Sequence, residues 1–291
     1  MKKILSWICI YLITFFSFPI HVYAELDRLA LPQGGSVVSG QVDINYAAID
    51  QLNVNQSTNQ AIVNWQSFNV GRDASVHFNQ PGSKASILNN VLSGQSIING
   101  KIFSNGRLFL VNPTGILTGP HSAIKAEGAI LSTLNLTNQN FLNNNYQFNT
   151  NSNSSLVNQG LIEGQYVALI SPQVNNKGNI ITSAATTIVA GDDVLLGISD
   201  SNNLTVKVAP SKLKAMAKNE GTIKTQNGMV TIKADAAQSL VDEVVKLPNA
   251  RADGLVSENG VIKLISNSGS IQANKIKIDA GSKEQQKFLE Y

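Results

Sequence analysis

A chain of 291 residues with 43% hydrophobic and only 14% charged side chains has enough apolar material for a core and too little charge for a disordered polyelectrolyte. Its 22 Lys and Arg stand against 19 Asp and Glu with no basic cluster and no aromatic interleaving, which removes nucleic acid as a partner class. Asn (33) and Gly (22) are abundant while aromatics make up 6%, a mixture that favours many short strands and turns over long helices.

Met1 to Ala24 reads as a secretory signal peptide: Lys2 and Lys3 form the basic end, Ile4 to Phe18 the apolar stretch, and Val22-Tyr23-Ala24 the small-residue cleavage site. Its apolar run falls short of the ~20 residues a spanning helix needs. Cleavage removes two Lys and no acid, so 22 basic against 19 acidic becomes 20 against 19. It also removes Cys9, the single cysteine, so the exported chain has no thiol and must rely on packing and backbone pairing.

Residues 25–86 contain Asn64-Trp65-Gln66-Ser67-Phe68-Asn69 and Val76-His77-Phe78, where apolar and polar residues alternate with the period of half-buried strands. Trp65, inside such a strand, reads as core, and the region as a cap over the first unit of whatever follows. From Ile87 to Leu134 short apolar strands (Arg107 to Val111, Ile116 to Leu117, Ala129 to Leu134) lie between turns expected at Asn99-Gly100, Asn105-Gly106 and Asn112-Pro113-Thr114-Gly115. The Asn-Gly pairs are expected to supply positive φ, and Gly115 a conformation closed to other residues. Asn135 to Ser155 is an Asn-rich interruption in which Phe141, Tyr146 and Phe148 are spaced for a small strand pair.

From Asn158 onward a repeat becomes legible. Asn158-Gln159-Gly160-Leu161-Ile162, Asn176-Lys177-Gly178-Asn179-Ile180 and Asn219-Glu220-Gly221-Thr222-Ile223 share the pattern Asn-x-Gly-x-Ile. Each is followed by a second strand, as in Tyr166 to Ile170, Thr187 to Ala190, Met229 to Lys233 and Lys275 to Ile278. Alternation within these strands predicts one buried and one wet face. A unit of two or three short strands cannot bury its face alone, whereas stacked units share one apolar column. The expected fold is therefore all-β, a parallel β-helix of about 10 to 12 coils at ~4.8 Å spacing. Ala236 to Lys246 is read as a short helix over the coil, and Phe288 and Leu289 in the tail 282–291 as a candidate cover for the last one.

Ile102, Ser104-Asn105-Gly106, Leu110-Val111-Asn112-Pro113-Thr114-Gly115-Ile116 and Leu131-Ser132-Thr133-Leu134, with Asn64-Trp65, Phe68 and Phe78-Asn79-Gln80-Pro81 upstream, resemble the N-terminal secretion domain of filamentous haemagglutinin-like exoproteins. Thr114 stands where that family usually has Asn. The resemblance implies a right-handed helix, an N-terminal cap, a small extra-helical hairpin near residues 135–155, and a domain over 25–281. It further implies recognition by the periplasmic, POTRA-like domains of an Omp85-type outer-membrane transporter, export through the periplasm of a Gram-negative bacterium, and residence at the cell surface or outside it. Full exoproteins of this kind are adhesins or toxin carriers that meet host surfaces or glycans. The partner-binding residues expected from it are Asn112, Pro113, Thr114, Gly115 and Ile116.

Catalytic chemistry finds little purchase. His77 and His121 lack a Cys or acidic partner at metal spacing, and no nucleophile elbow or phosphate loop is present, so neither a metal nor a cofactor is expected. The enzyme alternative is a carbohydrate-active β-helix with carboxylates along one groove. Its best local pair is Asp192-Asp193, which reads as a turn former, followed by Asp235 and Asp242-Glu243.

Overall fold

The computed structural model describes residues 26–150, 152–209, 215–226 and 229–234, and the backbone of 255–258, 261–266 and 270–273. The expected signal peptide, the helix at 236–246, Asp235, Asp242-Glu243, the strand at 275–278 and the tail lie outside these residues.

The chain winds into a parallel β-helix with three columns of strands. The first column stacks β3 (Gln51–Gln56), β5 (Ser75–Asn79), the first halves of β8 (Lys101–Val111), β10 (Ala123–Ser132), β14 (Leu161–Ser171) and β16 (Asn179–Ala190), then β20 (Thr222–Gln226) and β22 (Leu255–Glu258). The second takes β4 (Gln60–Trp65), β6 (Ser86–Val91), the second halves of the same four long strands, β21 (Met229–Ala234) and β23 (Val261–Ser266). The third runs β7 (Ser96–Ile98), β9 (Ile116–Thr118), β13 (Ser155–Asn158), β15 (Gln173–Asn176), β19 (Met216–Asn219) and β24 (Ser270–Ala273). Each of the first two columns is thus eight tiers deep among the described residues.

The interior is one apolar cluster fed by all three columns, from Leu52, Val63 and Trp65 at one end to Ile223, Val230 and Ile232 at the other. Trp65 is core, as expected: it is fully buried, its indole Nε1 donates to Asn89 Oδ1 at 2.9 Å, and it meets Phe68 edge to face at 5.6 Å. Two antiparallel strands close the start of the helix. β1 (Ser36–Ser39) lies against β4, and β2 (Val42–Ala48) against β3, with Val42 and Ile44 packed on the core.

The second column departs from the expectation of one wet face. In Leu108-Phe109-Leu110-Val111 every side chain is buried: Leu108 and Leu110 point into the interior, while Phe109 and Val111 join a separate outer cluster with Ile62, Leu88, Ile130, Ile170 and Val189. The cover is a four-stranded antiparallel sheet built from the excursions. The first supplies β11 (Asn135–Leu136), α1 (Asn138–Leu142) and β12 (Tyr146–Asn149); the second supplies β17 (Asp193–Ile198) and β18 (Leu204–Val208). The expected strand pair at 135–155 is present, accompanied by a helical turn capped by Thr137, whose Oγ1 accepts from Asn140 N. It lies on the coils, with Phe109 packed on Phe141 at 5.3 Å and on Tyr146 at 5.0 Å between ring centres. An apolar run without alternation is the mark of burial on both faces.

The Asn-x-Gly-x-Ile repeat becomes a ladder. Asn158 Nδ2 donates to Asn176 Oδ1 at 2.6 Å, Asn176 Nδ2 donates to Asn219 Oδ1 at 2.6 Å, and Thr118 Oγ1 donates to Asn158 Oδ1. All four residues are buried, and each bond of the ladder joins one coil to the next without water. The following Gly is required by space: a Cβ on Gly178 would lie 2.1 Å from Gly160 O. Space also explains the Asn-Gly pairs, which do not form the positive-φ turns expected. Asn105-Gly106 lies inside the continuous strand β8, and a Cβ on Gly106 would lie 2.7 Å from Ala85 O.

Candidate functional site

The five residues singled out from sequence occupy the corner where the third coil passes from β8 to β9. Asn112 is fully buried, and its side chain ties three segments together: Nδ2 donates to Gly94 O and Ser96 Oγ, each at 2.9 Å, while Oδ1 accepts from Thr114 N at 2.9 Å. Gly115 N donates to Asn112 O at 3.0 Å, closing the four-residue turn, and Ser96 N donates to Gly115 O at 3.0 Å. Gly115 has φ +128°, the conformation closed to other residues that the turn demanded. Pro113 fixes the turn's entry and its carbonyl accepts from Ser154 Oγ.

What the corner shows to solvent is far less than its sequence suggests. Asn112, Gly115 and Ile116 are buried, Pro113 is half-buried, and Thr114 is exposed. Pro113 forms part of a groove of about 360 Å³, lined also by Leu92, Asn90 and Asn138, with Leu92 61% exposed at its rim. Sequence reading missed Leu92, an isolated apolar residue without periodicity.

A second concavity, of about 750 Å³, runs along the outer face of the first column past His77, Phe103, Lys125, Glu127, Glu163 and Ile181. His77 and Phe103 lie at 5.0 Å between ring centres, and Lys125 pairs with Glu163 at 2.9 Å. Asp192 and Asp193 are elsewhere, at the root of the covering sheet: Asp192 O accepts from Thr150 N, and Asp193 pairs with Asn149 in register and accepts from Gln147 Nε2. They anchor an excursion, as a turn-forming role implies. Among the described residues no three His, Cys, Asp or Glu are grouped to hold a metal ion.

On the outside of the third column Glu220 pairs with Lys218 and, at 3.6 Å, with Lys177. The hydrogen bond from Lys218 is the main cause holding its carboxyl below the usual range, with the charges of both lysines adding to it. A depressed folded pKa stabilises above the unfolded value and is lost as pH falls through the folded one. Glu220→Gln is therefore expected to lose slightly less stability than the native chain between pH 7 and pH 3, a difference kept small by solvent screening and readable as the change in urea midpoint.

Comparison with known proteins follows the same outline. The sequence model of the TPS secretion domain matches residues 30–283. Two heme/hemopexin-binding proteins of Haemophilus influenzae are 26% identical over 261 residues and 27% identical over 270, each alignment covering 84% of this chain. The chain spans 28% and 29% of their respective lengths. The crystal structure of the HMW1 secretion domain from Haemophilus influenzae superposes with a TM-score of 0.61 at 23% identity, over 86% of this chain and 82% of that one. The shared fold is the β-helix.

Proposed function

Because the chain belongs to the TPS secretion domain family, we propose that it is the export module of a secreted exoprotein, read in the periplasm by POTRA-like domains of an Omp85-type outer-membrane transporter. Residues 1–24 would serve as leader, 25–281 as the module and 282–291 as its tail, with the module folding at the surface of a Gram-negative cell. The observation that carries this reading is the family match across residues 30–283. Receptor binding by the whole exoprotein, of the adhesin or haemagglutinin kind and directed at host surfaces or glycans, belongs to sequence beyond the module. The module itself is read as non-catalytic, and among the described residues no helix is long and apolar enough to cross a membrane.

The corner at Asn112 to Ile116 supports one further statement about recognition. Folded, it offers a partner Thr114 and part of Pro113; unfolded, it offers all five residues. A transporter that reads the motif must therefore meet the chain before the third coil closes. Asn112→Ala is expected to cost about 1 to 3 kcal/mol in urea unfolding, since it leaves the buried Ser96 hydroxyl without its amide partner and removes the bonds to Gly94 O and Thr114 N, whereas Thr114→Ala stays within about 0.5 kcal/mol.

The deciding measurement is binding of the urea-unfolded chain, diluted rapidly onto the purified periplasmic domains of the co-encoded transporter. Weaker capture of Asn112→Ala than of the native chain supports recognition. Equal capture would reduce the motif to a structural corner. Export that persists after the transporter is deleted would remove the secretion reading itself.

A further inference from the structure

The first turn of the β-helix ends in a strand edge that nothing among the described residues covers. β2 pairs with β3 on one side and has no strand partner on the other. Proteins usually defend such an edge with Lys, Pro, a bulge or an inward charge. β1 is defended: it is four residues long and its register shifts at Val38. In β2 the shift comes only at Ala47, which leaves Val42-Asp43-Ile44-Asn45-Tyr46 as five regularly paired residues without Lys, Pro or bulge. Their single charge, Asp43, accepts from Asn55 Nδ2 at 3.3 Å. The surroundings are apolar, with Val37 40%, Tyr46 46% and Ile49 79% exposed.

These five residues are complementary to themselves. Laid antiparallel to a second copy about Ile44, they bring Val42 opposite Tyr46, Ile44 opposite Ile44, and Asp43 opposite Asn45, with apolar pairs on the core side and polar pairs on the other. Branched-with-aromatic and carboxylate-with-amide pairs of this kind stabilise adjacent strands, and no like charges meet. The twofold axis repeats each heterotypic pair, as an isologous interface requires.

We propose that β2 is a homotypic docking edge through which two copies of this chain join cap to cap, continuing the sheet from β3 of one copy to β3 of the other. The partner is a second copy because the pairing pattern of Val42 to Tyr46 is symmetric about its own centre. Asn45 is exposed in the single chain, so substitution there leaves the fold intact while changing what faces Asp43 of the second copy.

Sedimentation velocity of the purified secreted chain across a concentration series tests this. The native chain is expected to pass reversibly from monomer to dimer. Asn45→Asp sets carboxylates opposite each other at two places and should raise the dissociation constant about tenfold; Asn45→Lys sets opposite charges there and should lower it severalfold. Circular dichroism melts of both variants should match the native chain. A monomer at every concentration overturns the proposal, as does a dimer indifferent to both substitutions. Amides of β2 that gain exchange protection only with the transporter's periplasmic domains would assign the edge to that partner instead.

Discussion

Gly178→Ala is expected to lower stability by about 3 kcal/mol or more, the upper end of overpacking costs. The added Cβ would lie 2.1 Å from Gly160 O, and its neighbours cannot withdraw. The preceding coil is fixed by Lys177 N and Gly178 N to Asn158 O, and the following coil by Thr222 N to Gly178 O. The tier spacing is set by these bonds on both sides, so relief at one corner must open another. The control is Gly82→Ala, where the new methyl meets nothing within 4 Å and the expected change is below about 0.5 kcal/mol. Urea denaturation of the two variants compares them directly. Coincident midpoints would show that the stack yields along its axis.

Phe109→Ala should cost about 3 to 5 kcal/mol, the range for removing a buried aromatic ring. Phe109 faces away from the β-helix interior, yet it is fully buried against Phe141 and Tyr146. Ile181, on the outer face of the first column, is 39% exposed, and Ile181→Ser should change stability by about 0.5 kcal/mol or less. The contrast separates the two outer walls. A Phe109→Ala variant as stable as Ile181→Ser would mean that the antiparallel sheet only rests on the second column and does not share its core.

That wall marks where the sequence was least legible. Alternation in Val76-His77-Phe78 marked a half-buried strand of the first column correctly, because water on the other side enforces a period of two. The continuous runs Leu108 to Val111 and Val167 to Ile170 suppress the period, and their cover comes from segments not adjacent in the chain. The hairpin β17 and β18 was missed for the same reason: Asp192-Asp193 announced a turn but not the direction of the chain after it. The Asn-x-Gly-x-Ile repeat was fully visible, although the demand it encodes is room beside a carbonyl and a partner for an amide, not a left-handed turn. At the candidate site the motif located its corner and its strained Gly115, while the inward aim of Asn112 depended on Gly94 and Ser96, which no spacing rule connects to it.

The covering sheet also fixes an order of assembly. A chain emerging amino end first can wind its early coils as soon as they appear, yet the outer wall at Ile62 and Phe109 waits for the segment that carries Phe141, Tyr146 and the carbonyl held by Gln60 Nε2. That segment waits in turn for Asp193 to Leu196, its backbone partners along β12. Contacts of such long sequence separation make the free energy of folding arrive late and together, because loop closure precedes the reward. A chain halted before residue 193 would leave β12 without its β17 partner and the outer cluster without Val194, Leu196 and Leu204, so passage of the second hairpin, not the first coil, is where folding becomes hard to reverse.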